Sequence, residues 1–426
     1  MKELRTFLLL IAMLFAIAVT ASCGGGGGGG DGGGTQPSGG GGGGGTSVQL
    51  PKTGQTACYS GAGLLRNCAG TGEDGEKQAG VSWPNPRFTD NGNTVTDNLT
   101  GLMWLKDANC IATQYPAFDT DGIVGDGVVD WQPALNFVTG INNGTYPNCR
   151  AGYADWRLPN VNELESLIAA GRPNIATWLN AQGFINMDIS NLSYYWSSTT
   201  YINNTMNAWY VFMNDGTVLA TSKNFSRYVL PVRGTTSGAA QIWKTGQTTC
   251  YSSAGAVRNC AGTGEDGEKL AGISWPNPRF TNNGNGTVTD NLTGLMWLRD
   301  ANCIATQYPA FDTDNINGDG NVAWQNALDF VAGINNGTYP NCRAGYTDWR
   351  LPNRKEMHSL TDFSQGDPAL PSGHPFANVL AVYYWSSTSY ATDRTFAWRG
   401  TPSSVGFFFG DNKINDSGVW PVRGGQ

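Results

Sequence analysis

The chain contains itself twice. The run from Arg87 to Trp104 returns almost residue for residue as Arg279 to Trp297, and Asp155-Trp-Arg-Leu-Pro-Asn160 returns as Asp348-Trp-Arg-Leu-Pro-Asn353. Trp104 and Trp297 lie 193 positions apart, and the late arginines Arg233 and Arg423 lie 190 apart. Each copy therefore spans roughly 180 residues, the size of one compact domain. Solenoid and propeller repeats are several times shorter, so whole domains were duplicated. We place the first copy at 51–234, a linker at 235–243 and the second copy at 244–426.

The leading residues predict where such modules live. Lys2 and Arg5 precede an apolar run from Phe7 to Val19, and Thr20-Ala-Ser-Cys23 follows. That is the layout of a signal peptide over 1–22, too short for a comfortable membrane span. A cysteine directly after small residues resembles a bacterial lipoprotein signal, with Cys23 as the lipid-bearing residue. Ordinary secretion with Cys23 left free is the alternative. Residues 23–50 are then a tether, almost all glycine up to Thr46. Glycine loses the most backbone entropy on ordering and has no side chain to bury, so its coil reach is on the order of 25 Å. The expected location is the bacterial cell envelope, lipid-anchored at the outer membrane or cell surface.

Of nine cysteines, eight remain after Cys23, and they divide evenly into Cys58, Cys68, Cys110 and Cys149, then Cys250, Cys260, Cys303 and Cys342. Four per module predicts two disulfides each, as befits export. Three pairings are open in each module; Cys58 with Cys68 and Cys110 with Cys149 is favoured, because the first pair encloses a short loop containing glycine. A structural zinc site is the rival, but no Cys-x-x-Cys occurs.

Lysine and arginine total 26 against 33 acidic residues, a net charge of −7. Nucleic acid is excluded as an expected partner on that balance.

Within a module the pattern predicts α+β. Thr94 to Trp104 reads as a hairpin around Asp97-Asn-Leu-Thr-Gly101. Trp131, Ala134, Leu135, Val138 and Ile141 fall at helical spacing, repeated by Trp324, Ala327, Leu328, Val331 and Ile334. A second helix starts where Asn160 caps and Glu163 closes a capping box, repeated by Asn353 and Glu356. Glu163 is read as a cap rather than a catalytic acid, and Arg157 and Arg350 as partners of carboxylates. Tyr194–Thr199, Ala208–Phe212 and Tyr228–Arg233 read as strands, as do Tyr383–Thr388, Phe396–Arg399 and Val419–Arg423; Pro231 and Pro421 place the last of each set at an edge or strand end.

These motifs in this order, Thr-Val-Thr-Asp-Asn-Leu-Thr-Gly-Leu-Met-Trp, Trp-Arg-Leu-Pro-Asn with a following Glu, Tyr-Trp-Ser-Ser-Thr and Pro-Val-Arg, resemble the domain family of the Legionella collagen-like adhesin C-terminal region. The resemblance covers nearly all of both modules. The Arg-Leu-Pro helix start is also similar to that of formylglycine-generating sulfatase modifiers, and together these imply two tandem C-type-lectin-like domains. The adhesin's collagen stalk is absent here, replaced by polyglycine, and its sulfated glycans are poorly matched to an acidic chain.

Calcium is the one cofactor expectation. Asp312, Asp314, Asn315, Asn317 and Asp319 alternate with a turn glycine, Gly320, in the manner of an oxygen-ligand loop. Asn326 stands where the closing carboxylate belongs. The first module keeps Asp119, Asp121 and Asp126 but has Gly122 and Val124 between them. A solvated acidic loop is the plain alternative.

Catalysis finds little footing. The only histidines, His358 and His374, lie in the second module, so the copies share no histidine mechanism. The favoured expectation is an adhesin-like, lipid-anchored binding protein for a glycan or protein ligand, not an enzyme. Its site is expected on the loops between Ile168 and Tyr194 and between Leu360 and Tyr383, where Trp178 and Phe184 serve either as sugar platforms or as core. An enzyme acting on cell-surface polymers is the alternative.

Overall fold

The computed structural model describes residues 47–311, 316, 318–401 and 406–424. Cys23 and most of the tether therefore lie outside the described residues. From Thr46 onward the chain is one compact unit of mixed α and β structure in two repeated halves.

In each half a four-stranded antiparallel sheet is closed by the end of that half. Phe88–Asp90, Thr94–Asp97 and Met103–Leu105 form a meander, and Val232–Arg233 returns to pair with its last strand, Trp104 opposite Val232. The copy repeats this with Phe280–Asn282, Thr287–Asp290, Met296–Leu298 and Val422–Arg423. The short return strand sits at the sheet edge with proline just before it, as its missing N–H requires. Only Val232–Arg233 of the expected Tyr228–Arg233 strand is regular; Tyr228 instead makes a single parallel bridge to Tyr195. In the copy, likewise, the regular strand is Val422–Arg423.

The helix Trp131–Asn143 buries Trp131, Ala134, Leu135, Val138 and Ile141 and stops at Gly144, whose φ of 88° few other residues adopt. Trp324–Asn336 is its copy. Val161–Ser166 and Arg354–Ser359 are only six residues long, and both begin with a complete capping box, Asn160 with Glu163 and Asn353 with Glu356. Arg157 pairs with Glu163 at 2.5 Å, as does Arg350 with Glu356. The disulfides are Cys58–Cys68, Cys110–Cys149, Cys250–Cys260 and Cys303–Cys342.

The halves are interlocked. Tyr194–Thr200, Asn207–Phe212 and Val218–Ser222 make one antiparallel sheet, and Tyr384–Ser389, Phe396–Gly400 and Phe408–Asn412 make its copy. The two inner edges meet at Phe408 opposite Val218, so six strands run as one sheet. One hydrophobic core draws on both halves, including Ile168, Trp209 and Val218 from the first and Met357, Leu360 and Phe408 from the second. Each half also keeps a private core around its long helix.

Candidate functional site

The segment that opens each half packs on the other half. Gln55 Nε2 donates to the carbonyl of Ser389 at 2.8 Å while its Oε1 accepts from the Ser389 N–H at 2.8 Å. Gln247 does the same to Thr200, at 2.9 and 2.8 Å. Asp74, at the start of the four-residue helix Asp74–Lys77, accepts from Thr53 at 2.5 Å and from Thr388 of the opposite half at 2.8 Å. Asp266 repeats this with Thr245 and Thr199. Burial pushes both carboxyls up to about 6, against the pull of the two hydroxyls. Lys413 reaches the carbonyls of Tyr59 and Ser60 at 3.0 and 3.2 Å, with its ammonium 3.9 Å from the Trp324 ring centre. Lys223 is its copy over Trp131. Burial lowers both lysines to about 7. These groups bond across the seam, and we read them as structural; of their carboxylate oxygens, Asp74 Oδ1 alone is buried without a partner.

At the middle of the seam the two halves differ. Glu165 is buried and meets Lys355 at 2.9 Å and Arg354 at 3.4 Å, both from the other half and both buried. Burial works against its charge, yet the Lys355 and Arg354 cations keep its pKa below the usual value. His358, the repeat counterpart of Glu165, lies 2.9 Å from Asn162 Oδ1 and is pushed down to about 4 by burial. That histidine is a buried member of the seam.

A cleft opens along the seam. It has a volume of about 460 Å³ and is lined by the opening segment of the first half, by Gly171 and Arg172, and by Ala391 and Arg394 of the second half. The opening segment contributes Lys52, Tyr59, Gln78 and Trp83 among others. Gly54 has a φ of 85°, and a Cβ there would come within 2.5 Å of the Trp83 ring, so glycine lets the indole lie over the backbone. The indole N–H donates to the Lys52 carbonyl at 2.8 Å. Arg394 lies 4.8 Å from the Tyr59 ring centre. Thr392 donates to the Pro173 carbonyl at 2.9 Å, which joins the two halves at the rim.

The loops expected to carry the ligand mix buried and exposed residues, with Ile185, Ile189 and Leu192 exposed. Phe184 is buried, and Trp178 packs edge-on to Phe88 with ring centres 5.7 Å apart. Leu360, Phe363, Leu370 and Phe376 of the second loop are buried too. Only Gly171 and Arg172 from the expected loops reach the cleft. Lys52, Trp83, Gln78 and Arg394 were not singled out from sequence; their signal lay in comparing the copies.

Of the acidic loop residues, Asp119 accepts from the N–H groups of Asp121 and Gly122, Asp121 from Ile123, and Asp126 from Val128. Asp319 accepts from Asn321, while Asp312, Asp314, Asn315 and Asn317 lie outside the described residues. Among the described residues no group of three or more His, Cys, Asp and Glu is placed to hold a metal ion, and no helix is long and apolar enough to cross a membrane.

The model of the Lcl C-terminal domain matches the chain twice, over residues 93–233 and 286–423. With more than half of its length so matched, the chain belongs to the Lcl C-terminal domain family. No curated protein matches it. Both matches begin after the opening segments, so the residues from Lys52 to Trp83 in the cleft fall outside the family's domain.

Proposed function

We propose that this chain is a lipid-anchored, adhesin-like binding protein of the bacterial envelope, and that it takes a glycan. The observation that carries the reading is the cleft, concave, polar and floored by Trp83 and Tyr59 of the opening segment, in a chain that carries two copies of a domain resembling that of an adhesin. The Cys23 signal and the glycine tether would hold the folded unit off a membrane. Calcium belongs to this proposal only at the Asp312–Asp319 loop.

The test is a glycan-array screen of the disulfide-intact fragment from Ser47 to Gln426, with and without calcium. Saturable binding that weakens when Trp83 is replaced by alanine supports the reading. Absence of binding in both conditions refutes a glycan ligand and turns the search toward protein partners. Metabolic labelling with a lipid precursor, compared between the native chain and Cys23→Ala, tests the anchor.

A further inference from the structure

The cleft and its counterpart across the pseudo-twofold are not equivalent. In the repeat, Arg172 corresponds to Gln365, Arg394 to Thr205 and Gln78 to Leu270, while Lys52, Tyr59 and Trp83 correspond to Lys244, Tyr251 and Trp275. One side of the molecule therefore gathers three cations and the other keeps a single lysine. Among the described residues, none of Lys52, Arg172 and Arg394 forms an ion pair with a carboxylate, whereas most other arginines here are paired. Arg172 and Arg394 are exposed and Lys52 is half-buried, so the positive charge faces the opening. A chain with net charge −7 repels anions at long range, but a concave wall with three nearby cations decides at contact distance.

The two arginines come from different halves. They share a cleft because the first half pairs with the second, and the Glu165 cluster is suited to that pairing: two first halves would bury facing glutamates, and two second halves would bury facing Lys355 and Arg354. Like pairs would set Arg172 beside Thr205, or Arg394 beside Gln365.

We propose, resting on the glycan reading above, that this cleft is a single acid-binding site per chain and that it takes a sugar carboxylate. A guanidinium presents paired donors that match a carboxylate, Lys52 adds a point charge, and Thr56, Gln78 and Ser82 line the wall for ring hydroxyls. The volume suits one or two sugar rings. Valency is thus one for acids, although the domain is present twice.

The experiment titrates the full chain, detergent-solubilised, with glucuronate, with glucose and with benzoate, followed by calorimetry. The expected result is glucuronate binding at one equivalent per chain, weakened as salt is raised, with neither glucose nor benzoate competing. Arg172→Gln and Arg394→Thr import the residues with which the other side already folds, so the double variant tests charge and not folding. It should weaken glucuronate roughly tenfold or more, the scale of a lost charged hydrogen bond. Binding at two equivalents, or binding unchanged in the double variant, overturns the proposal. Glycan binding on the array that survives the double variant unaltered also overturns it while leaving the glycan reading intact. Benzoate competing equally with glucuronate would remove the sugar from both.

Discussion

Gln55 offers the most direct test of the interlock. It sits in the opening segment of the first half, yet its amide satisfies both the N–H and the carbonyl of Ser389, which lies in the second half beside an irregularity in the strand pairing. Gln55→Ala removes two hydrogen bonds and strands two buried backbone groups. Each such group costs about 1–3 kcal/mol, so the loss should be about 2–6 kcal/mol. Gln247→Ala should lose a similar amount, since Gln247 does the same work for Thr200. The assay is urea unfolding of residues 47–426 followed by tryptophan fluorescence, which senses the buried Trp209 and Trp398. Gln49→Ala is the control, because that exposed side chain bonds only to Ser47. A loss below about 0.5 kcal/mol in both variants, the range of ordinary surface changes, would refute the interlocked arrangement.

Other outcomes follow from the same seam. Asp74 has its folded pKa raised to about 6 from an ordinary 3.8, so its stabilising contribution is full below the lower value and is lost as pH rises through the upper one, by about 3 kcal/mol at most. Asp74→Asn should flatten that part of the decline in urea midpoints between pH 4 and 8, and an unchanged slope would sink the assignment. Lys355→Met should cost about 3–5 kcal/mol, because it leaves Glu165 buried without its closest cation; adding Glu165→Gln should recover part of the loss, and thermal melts of the two variants beside the parent decide it. Asn160→Ala removes a helix cap worth about 1–2 kcal/mol. It also removes a bond to the carbonyl of Ala271 across the seam, so its melting shift should exceed that of Asn174→Ala, which caps its helix and bonds Asn214 within the same half.

What could be read from the chain was local. Asn160 and Glu163 stand three residues apart, so their capping box is written within one turn, and the apolar stripe of Trp131–Asn143 needs only its own sequence. The cysteine pairing was legible for the same reason in Cys58–Cys68, ten residues apart. The strands Val218–Ser222 and Phe408–Asn412 were not anticipated, since the first ends in Ala-Thr-Ser and the second contains Gly410 and Asp411. They are strands because each has a neighbour on both sides, one of them supplied by the other half. Gln55, Asn162, Glu165 and Lys355 drew no notice in the sequence, because their type gives no hint that a partner about 190 to 330 residues away neutralises or bonds them. The cleft was hidden for a related reason: Arg172 and Arg394 gain meaning only when set beside Gln365 and Thr205.

The continuous six-stranded sheet carries a consequence for how this protein behaves when scarce. Two separate chains joined edge to edge at Val218 and Phe408 would part on dilution, because their association would compete with the translational freedom of two bodies. Here a short connector makes the same association unimolecular, so its effective concentration is fixed by the chain and not by how many copies are present. A single molecule is already fully assembled. Each half also answers to one fixed companion, which leaves opposite sides of the seam at liberty to carry different residues, as Glu165 and His358 do.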